Sequence, residues 1–262
     1  ALAEARIRLI DGLACAIAGA GSGMTKLAQK WAGRMSFEGT SRFWFSGTRG
    51  SMQDCAFANS VFLHSILHED ASVYGHPACN VIPSALAVGE AEKSTGAEVL
   101  TAIALGYEIQ ARIAARGTGF KPAGSGGGRG PATTGIFGAA VTAIRLMKIT
   151  PQQAKNAIAF CGSLCSSGLE EPLIVGSFER CIQVGQLTRS GVLAAELAWA
   201  GIEGADSALD GERGFYATYF GTDAPVEAIT GGLGEIGSST VIDATYMYKP
   251  YPTAALNIGA TW

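Results

Sequence analysis

The sequence predicts an all-α fold, and three observations carry that reading. Helix-start signals recur along the chain, strand signals are almost absent, and many of the 36 glycines pair with alanines in segments of helical periodicity. Small residues at helical spacing let helix backbones approach closely, which suits a compact bundle. Hydrophobic residues make up 48% and charged residues 16% of the 262 positions, a balance that supports a sizeable core and argues against disorder.

Taken in order, the chain opens at Ala1-Leu2 already in an amphipathic pattern. Ser51 to Asp54 starts a helix running to about Leu67. Pro83 opens another, ending near Lys93. Thr95-Gly96-Ala97-Glu98 reads as a capping box before a helix from Val99 to Arg116. There Glu108, Arg112 and Arg116 form an i, i+4, i+8 polar stripe on an otherwise apolar, largely buried helix. Thr150-Pro151-Gln152-Gln153 combines a cap, a first-turn proline and a capping-box glutamine. Gly185 to Ala200 is helical and stops at Gly201, a fitting C-terminal glycine. Only Arg42 to Phe45 and Ser239 to Ile242 read as short strands. Gly117 to Pro131 and Ser166 to Arg180 read as irregular.

Several function classes drop out early. A net charge of −3 with no basic run argues against a nucleic-acid partner. No apolar stretch reaches the roughly 18 residues that a membrane span needs. Cys15, Cys55, Cys79, Cys161, Cys165 and Cys181 sit in apolar segments without C-x-x-C spacing, which predicts buried thiols in a reducing cytosol and a cytoplasmic protein without a signal peptide.

Chemistry-bearing residues cluster in one place. The only three histidines, His64, His68 and His76, fall within thirteen residues, together with Glu69 and Asp70. His64 and His68, at i and i+4, share a face at the end of the predicted helix, and Asp70 and His76 follow in a loop turned by Gly75-His76-Pro77. Three readings compete: satisfied core or cap residues, a metal site, and acid/base chemistry. Two histidines on one face plus a carboxylate can ligate zinc, but the zincin pattern needs Glu after the first His, and Ser65 stands there. Histidine titrates near neutral pH, and Asp70 can orient it or share the proton transfer, so acid/base chemistry leads. Arg129, set among glycines, and Arg180, ending the second irregular stretch, can bind carboxylate or stay solvated. Lys249 lies in the rigid turn Tyr248-Lys249-Pro250-Tyr251-Pro252.

Taken together, these segments resemble the MmgE/PrpD family of 2-methylcitrate dehydratase-like and cis-aconitate decarboxylase-like lyases. Leu9 to Ala20 is similar to its first helix, and Asn59 to His64 to its Asn-x-x-x-x-His stretch. Gly75-His76-Pro77 through Pro83 to Ala87 is similar to its His-Pro loop and following helix. Gly96 to Arg112, Gly135 to Ala140, Gly204 to Phe215 and Lys249 to Pro252 follow in the family's order. The resemblance implies a large helical domain over residues 1–248 and, from 249 to 262, the start of a linker to an α+β lid domain absent from this chain. It also implies a homodimer, a small di- or tricarboxylate substrate, and neither metal nor organic cofactor. His76 takes the family's active-site histidine position and Lys249 its later lysine. Arg129 stands where many members have a second histidine, and Arg180 where many have a lysine. Two departures stand out. Members read Leu-Asp-Phe-Asp-Asp-Thr where this chain has Leu67-His68-Glu69-Asp70-Ala71-Ser72, and Thr253-Ala254 replace the usual turn histidine or cysteine.

The leading expectation is a hydro-lyase that removes a proton α to a carboxylate. His76 is the acid/base, with Asp70 its partner or the second acid/base; Arg129, Arg180 and Lys249 grip carboxylates, and His68 and Tyr74 are secondary candidates. Decarboxylation or epimerisation through a related carbanion is the alternative, and a non-catalytic helical scaffold is the competing class.

Overall fold

A computed structural model describes residues 1–34, 38–71, 75–115, 133–166, 169, 171–221, 223–235 and 247–253. Among them the architecture is helical: α1 (Leu2–Gly19), α2 (Gly23–Ala32), α3 (Met52–His64), α4 (Ala78–Ala91), α5 (Gly96–Ala115), α6 (Gly135–Leu146), α7 (Pro151–Leu164), α8 (Glu171–Ile174), α9 (Glu179–Trp199), α10 (Phe215–Phe220) and α11 (Val226–Thr230). The two strands, β1 (Ser41–Arg42) and β2 (Arg49–Gly50), form one short antiparallel pair. The strand expected over Arg42 to Phe45 shrinks because Phe45 takes a left-handed conformation, φ 63°. The one expected over Ser239 to Ile242 lies outside the described residues. No single described helix is long and apolar enough to cross a membrane.

Local signals set several helix starts. At α7, Thr150 accepts from the backbone of Gln153 and the Gln153 side chain returns to the Thr150 backbone, with Pro151 in the first turn. At α5, Glu98 Oε2 accepts from the Thr95 backbone at 2.8 Å. Gly201, at φ 91°, follows the end of α9 as expected. Two boundaries differ from expectation. α3 stops at His64, three residues short of Leu67, and Leu67 itself is left-handed at φ 55°. His64 and His68 therefore do not share a helical face. α4 starts at Ala78 with Pro83 inside it. The amide that Pro83 lacks would have bonded to the Cys79 carbonyl; Thr188 Oγ1 on α9 stands 3.5 Å from that carbonyl and nearer, at 3.0 Å, to the Val184 carbonyl. α9 begins at Glu179, six residues before Gly185.

The core has two apolar clusters. The larger joins residues of α1 to α6 with Cys181, Val184, Val192 and Ala195 of α9. The smaller, around Ile136, Phe137, Leu187, Phe215 and Tyr216, links α6 and α9 to α7 and α10. Glycine permits the tightest crossing: a Cβ on Gly191 of α9 would sit 2.6 Å from the Ile136 carbonyl oxygen and 2.8 Å from the Ala140 amide nitrogen of α6. All six cysteines are buried and unbridged.

Candidate active site

The loop between α3 and α4 is held from both ends of the chain. On the inward face of α1, Arg8 donates from Nη1 to Asp70 Oδ2 at 2.9 Å, and its Nη2 pairs with Glu4 at 3.0 Å. Tyr107 of α5 donates its hydroxyl to the same Asp70 oxygen at 2.8 Å, and the Ala78 amide, at the start of α4, donates to Asp70 Oδ1 at 3.3 Å. Asp70 thus sits at a helix N-terminus, where a negative charge is favoured. Burial pushes its carboxyl above the usual range, against the pull of Arg8, Tyr107 and Ala78. From the other end, Met247 and Ala71 exchange backbone hydrogen bonds of 3.0 and 2.8 Å, and the Lys249 carbonyl stands 2.9 Å from His68 Nε2. Lys249 Nζ donates to the carbonyl of the left-handed Leu67, and to that of Thr253 at 3.3 Å.

His76 lies inside this frame. Its Nδ1 is 3.0 Å from the Asp70 carbonyl oxygen and 3.7 Å from Glu69 Oε1. Both are acceptors, so Nδ1 carries the proton and Nε2 keeps its lone pair. Packed protein surrounds the ring, yet 25% of the side chain stays accessible. Burial, aided by His64 and Lys249 and opposed by Glu69, lowers its pKa to about 4. The imidazole is therefore neutral at pH 7, with one basic nitrogen available.

Glu69 is wholly buried, and His64 Nδ1 approaches its Oε1 at 2.5 Å. Burial would raise this carboxyl, but His64, His76 and Lys249 together hold it at about 2. Its Oε2 and His64 Nε2 have no hydrogen-bond partner among the described residues. His64, Glu69 and Cys79 each place one potential ligand atom within 4.8 Å of the others. The 2.5 Å separation is a hydrogen-bond distance, because two ligands of one tetrahedral zinc stand about 3.4 Å apart at bond lengths near 2.1 Å. Asp11 of α1 also borders the cluster, raised to about 6 by burial and the nearby charge of Asp70.

The structure gathers His76, Asp70, His68 and Lys249, but it gives Asp70 another kind of contact than the one expected. The carboxylate faces Arg8 and Tyr107, and His76 receives the Asp70 backbone carbonyl. Arg180 does not join the cluster by any direct bond. Its guanidinium turns back on the carbonyls of Gly176 and Ser177, at 3.3 and 2.8 Å, at the entry to α9. Arg129 and Tyr74 lie outside the described residues. Clefts of about 550 Å³ beside Arg6 and Lys93, and about 450 Å³ beside Lys155 and Tyr216, are not lined by the histidines.

Sequence reasoning passed over Arg8 and Tyr107, and noted Glu69 beside the histidines without giving it a role. Arg8 was findable: Ala5, Arg8, Gly12, Cys15 and Gly19 share the buried stripe of α1, and a cation on such a stripe needs a carboxylate.

Residues 1–228 match the model of the MmgE/PrpD N-terminal domain. The chain belongs to the MmgE/PrpD family. Among its relatives, cis-aconitate decarboxylase of Homo sapiens is 28% identical over 171 residues, which cover 63% of this chain and 34% of that protein. The enzyme of that name from Aspergillus terreus (strain NIH 2624 / FGSC A1156) is 29% identical over 252 residues, covering 89% of this chain and 50% of the relative. That of Mus musculus is 26% identical over 185 residues, covering 65% and 36%. The chain thus spans half or less of the length of these MmgE/PrpD relatives.

Proposed function

We propose that this chain is the helical, site-bearing part of a lyase acting on a small di- or tricarboxylate, with His76 transferring the proton. The observation that carries the reading is the state of His76: neutral, fixed as the Nδ1–H tautomer by the Asp70 carbonyl, partly accessible, and with no hydrogen bond to Nε2 among the described residues. A base so placed can remove a proton α to a carboxylate. The enolate-like charge that builds up requires cations nearby. Lys249 borders the cluster; Arg129 and Arg180 are proposed carboxylate grips.

Two finer readings differ in what leaves. Loss of water follows from a neutral base that starts by taking a proton. Loss of carbon dioxide is favoured by the relatives, which are named as cis-aconitate decarboxylases. Asp70 serves either reaction as a positioning residue through its backbone carbonyl.

Proton NMR in D2O with cis-aconitate and with citrate-like hydroxy acids tests the proposal. The expected result is turnover, with deuterium entering the carbon next to a carboxylate, and loss of turnover by about 100-fold or more in His76→Ala at unchanged helicity. Wild-type rates in His76→Ala would remove that residue from the mechanism. No turnover, no exchange and no thermal shift with any polycarboxylate would favour a non-catalytic scaffold.

A further inference from the structure

Glu69 is a carboxylate sealed wholly inside the protein and flanked by two histidines, His64 and His76. Glu69 Oε1 takes the hydrogen bond of His64 Nδ1 and stands 3.7 Å from His76 Nδ1, while Oε2 is buried and unpartnered among the described residues. Burial disfavours such a charge, and the two histidines together with Lys249 outweigh that, so Glu69 stays ionised and its charge acts on both rings.

The His64 and His76 rings meet edge-on, with centroids 5.7 Å apart, so the carboxylate is wedged beside both. When His76 Nε2 accepts a proton, the ring becomes an imidazolium whose Nδ1 stands 3.7 Å from the Glu69 carboxylate while its N–H stays on the Asp70 carbonyl. We propose that Glu69, fixed by His64, is a positioning residue that stabilises protonated His76 and thereby sets its strength as a base. The proposal rests on His76 being the base of the lyase reading.

Other charged groups face the same ring and bear on the test. Lys249, from the C-terminal segment, and His64, from α3, oppose its protonation, and Glu69 favours it. Arg8 and Tyr107 are directed at the Asp70 carboxylate instead. Asp11 of α1 is coupled electrostatically to Asp70 and Glu69. Cys79 of α4 donates its thiol to the His76 carbonyl at 2.8 Å.

The test uses Glu69→Gln, which keeps the shape and can still accept from His64 Nδ1–H but carries no charge. With three histidines in the chain, ring resonances can be assigned by single replacements and titrated by NMR. The expected result is a His76 midpoint lowered by roughly one pH unit or more, the scale of losing an opposite charge nearby. Exchange of the His76 ring C2–H for deuterium at neutral pH, which slows as an imidazole becomes less basic, reports the same change without acidification. Glu69→Asp keeps the charge but draws it back, and should give an intermediate shift; it also carries the test if Glu69→Gln does not fold. Where turnover is measurable, kcat falls about tenfold in Glu69→Gln with KM unchanged, and the acid limb of the rate profile moves down with the NMR midpoint. An unmoved midpoint and unchanged C2–H exchange in the folded variant would overturn the proposal. A moved midpoint in a protein that turns over no polycarboxylate would overturn the lyase reading and leave the Glu69–His76 coupling standing.

Discussion

Arg8 and Asp70 are both almost fully buried, and each is the main countercharge of the other. The stability of such a pair shows chiefly when one member is removed, because the remaining charge stays in the core. Asp70→Ala should therefore destabilise the fold by about 3 kcal/mol or more, read as a lowered urea midpoint at pH 7. The double variant Arg8→Met/Asp70→Leu should recover much of that loss; no recovery would show that the pair acts mainly by holding the loop. The sequence displayed the histidine cluster plainly, since three histidines within thirteen residues need no structure to be noticed. It did not display which atom of Asp70 His76 would meet. That depends on Arg8 and Tyr107, which lie 62 and 37 positions away from Asp70.

Among the helices, glycines that look alike in sequence differ sharply in surroundings. Gly191→Ala should cost about 1–3 kcal/mol despite alanine's better helix propensity, because the new methyl meets the α6 backbone rather than a movable side chain. Gly96→Ala, at the open start of α5 with nothing within 4 Å, should be neutral or stabilising by up to about 1 kcal/mol. Thermal unfolding of the two variants checks the contrast. Thr188→Val should cost about 1–2 kcal/mol, since it removes a buried hydroxyl 3.0 Å from the Val184 carbonyl and leaves Asn80 Nδ2, now 2.9 Å from Thr188 Oγ1, without that acceptor. These cases mark what was legible. The starts of α5 and α7 follow from capping boxes, in which every partner lies within four residues. Pro83 read as a helix start because a proline in a first turn is the local rule; α4 instead begins at Ala78, whose amide is taken by Asp70 eight residues before it.

For the whole molecule, acid is the discriminating condition. Glu69 falls from 4.5 in the unfolded chain to about 2, so its contribution is present above pH 4.5 and is lost as pH drops toward 2. His76 falls from 6.5 to about 4, so the folded form refuses a proton that the unfolded form binds, and stability is lost between pH 6.5 and 4. This second loss is on the order of 3 kcal/mol. Asp11, raised from 3.8 to about 6, has the opposite sign: its contribution declines as pH rises through that interval. Urea midpoints measured against pH should therefore fall on acidification below 6.5, less steeply in His76→Gln and more steeply in Asp11→Asn. The all-α class was legible from periodicity and caps, whereas the closure of the chain on itself was not, because pairing between Ala71 and Met247 leaves no local pattern. That closure has a consequence for how the protein is born. Among the described residues, ties on the histidine loop come from residues 247–249, so that loop waits for a stretch made about 180 positions after His68. At ribosomal speeds of 5–20 residues per second the wait is roughly 10 to 40 s, during which the helices can assemble while the nascent protein remains chemically silent.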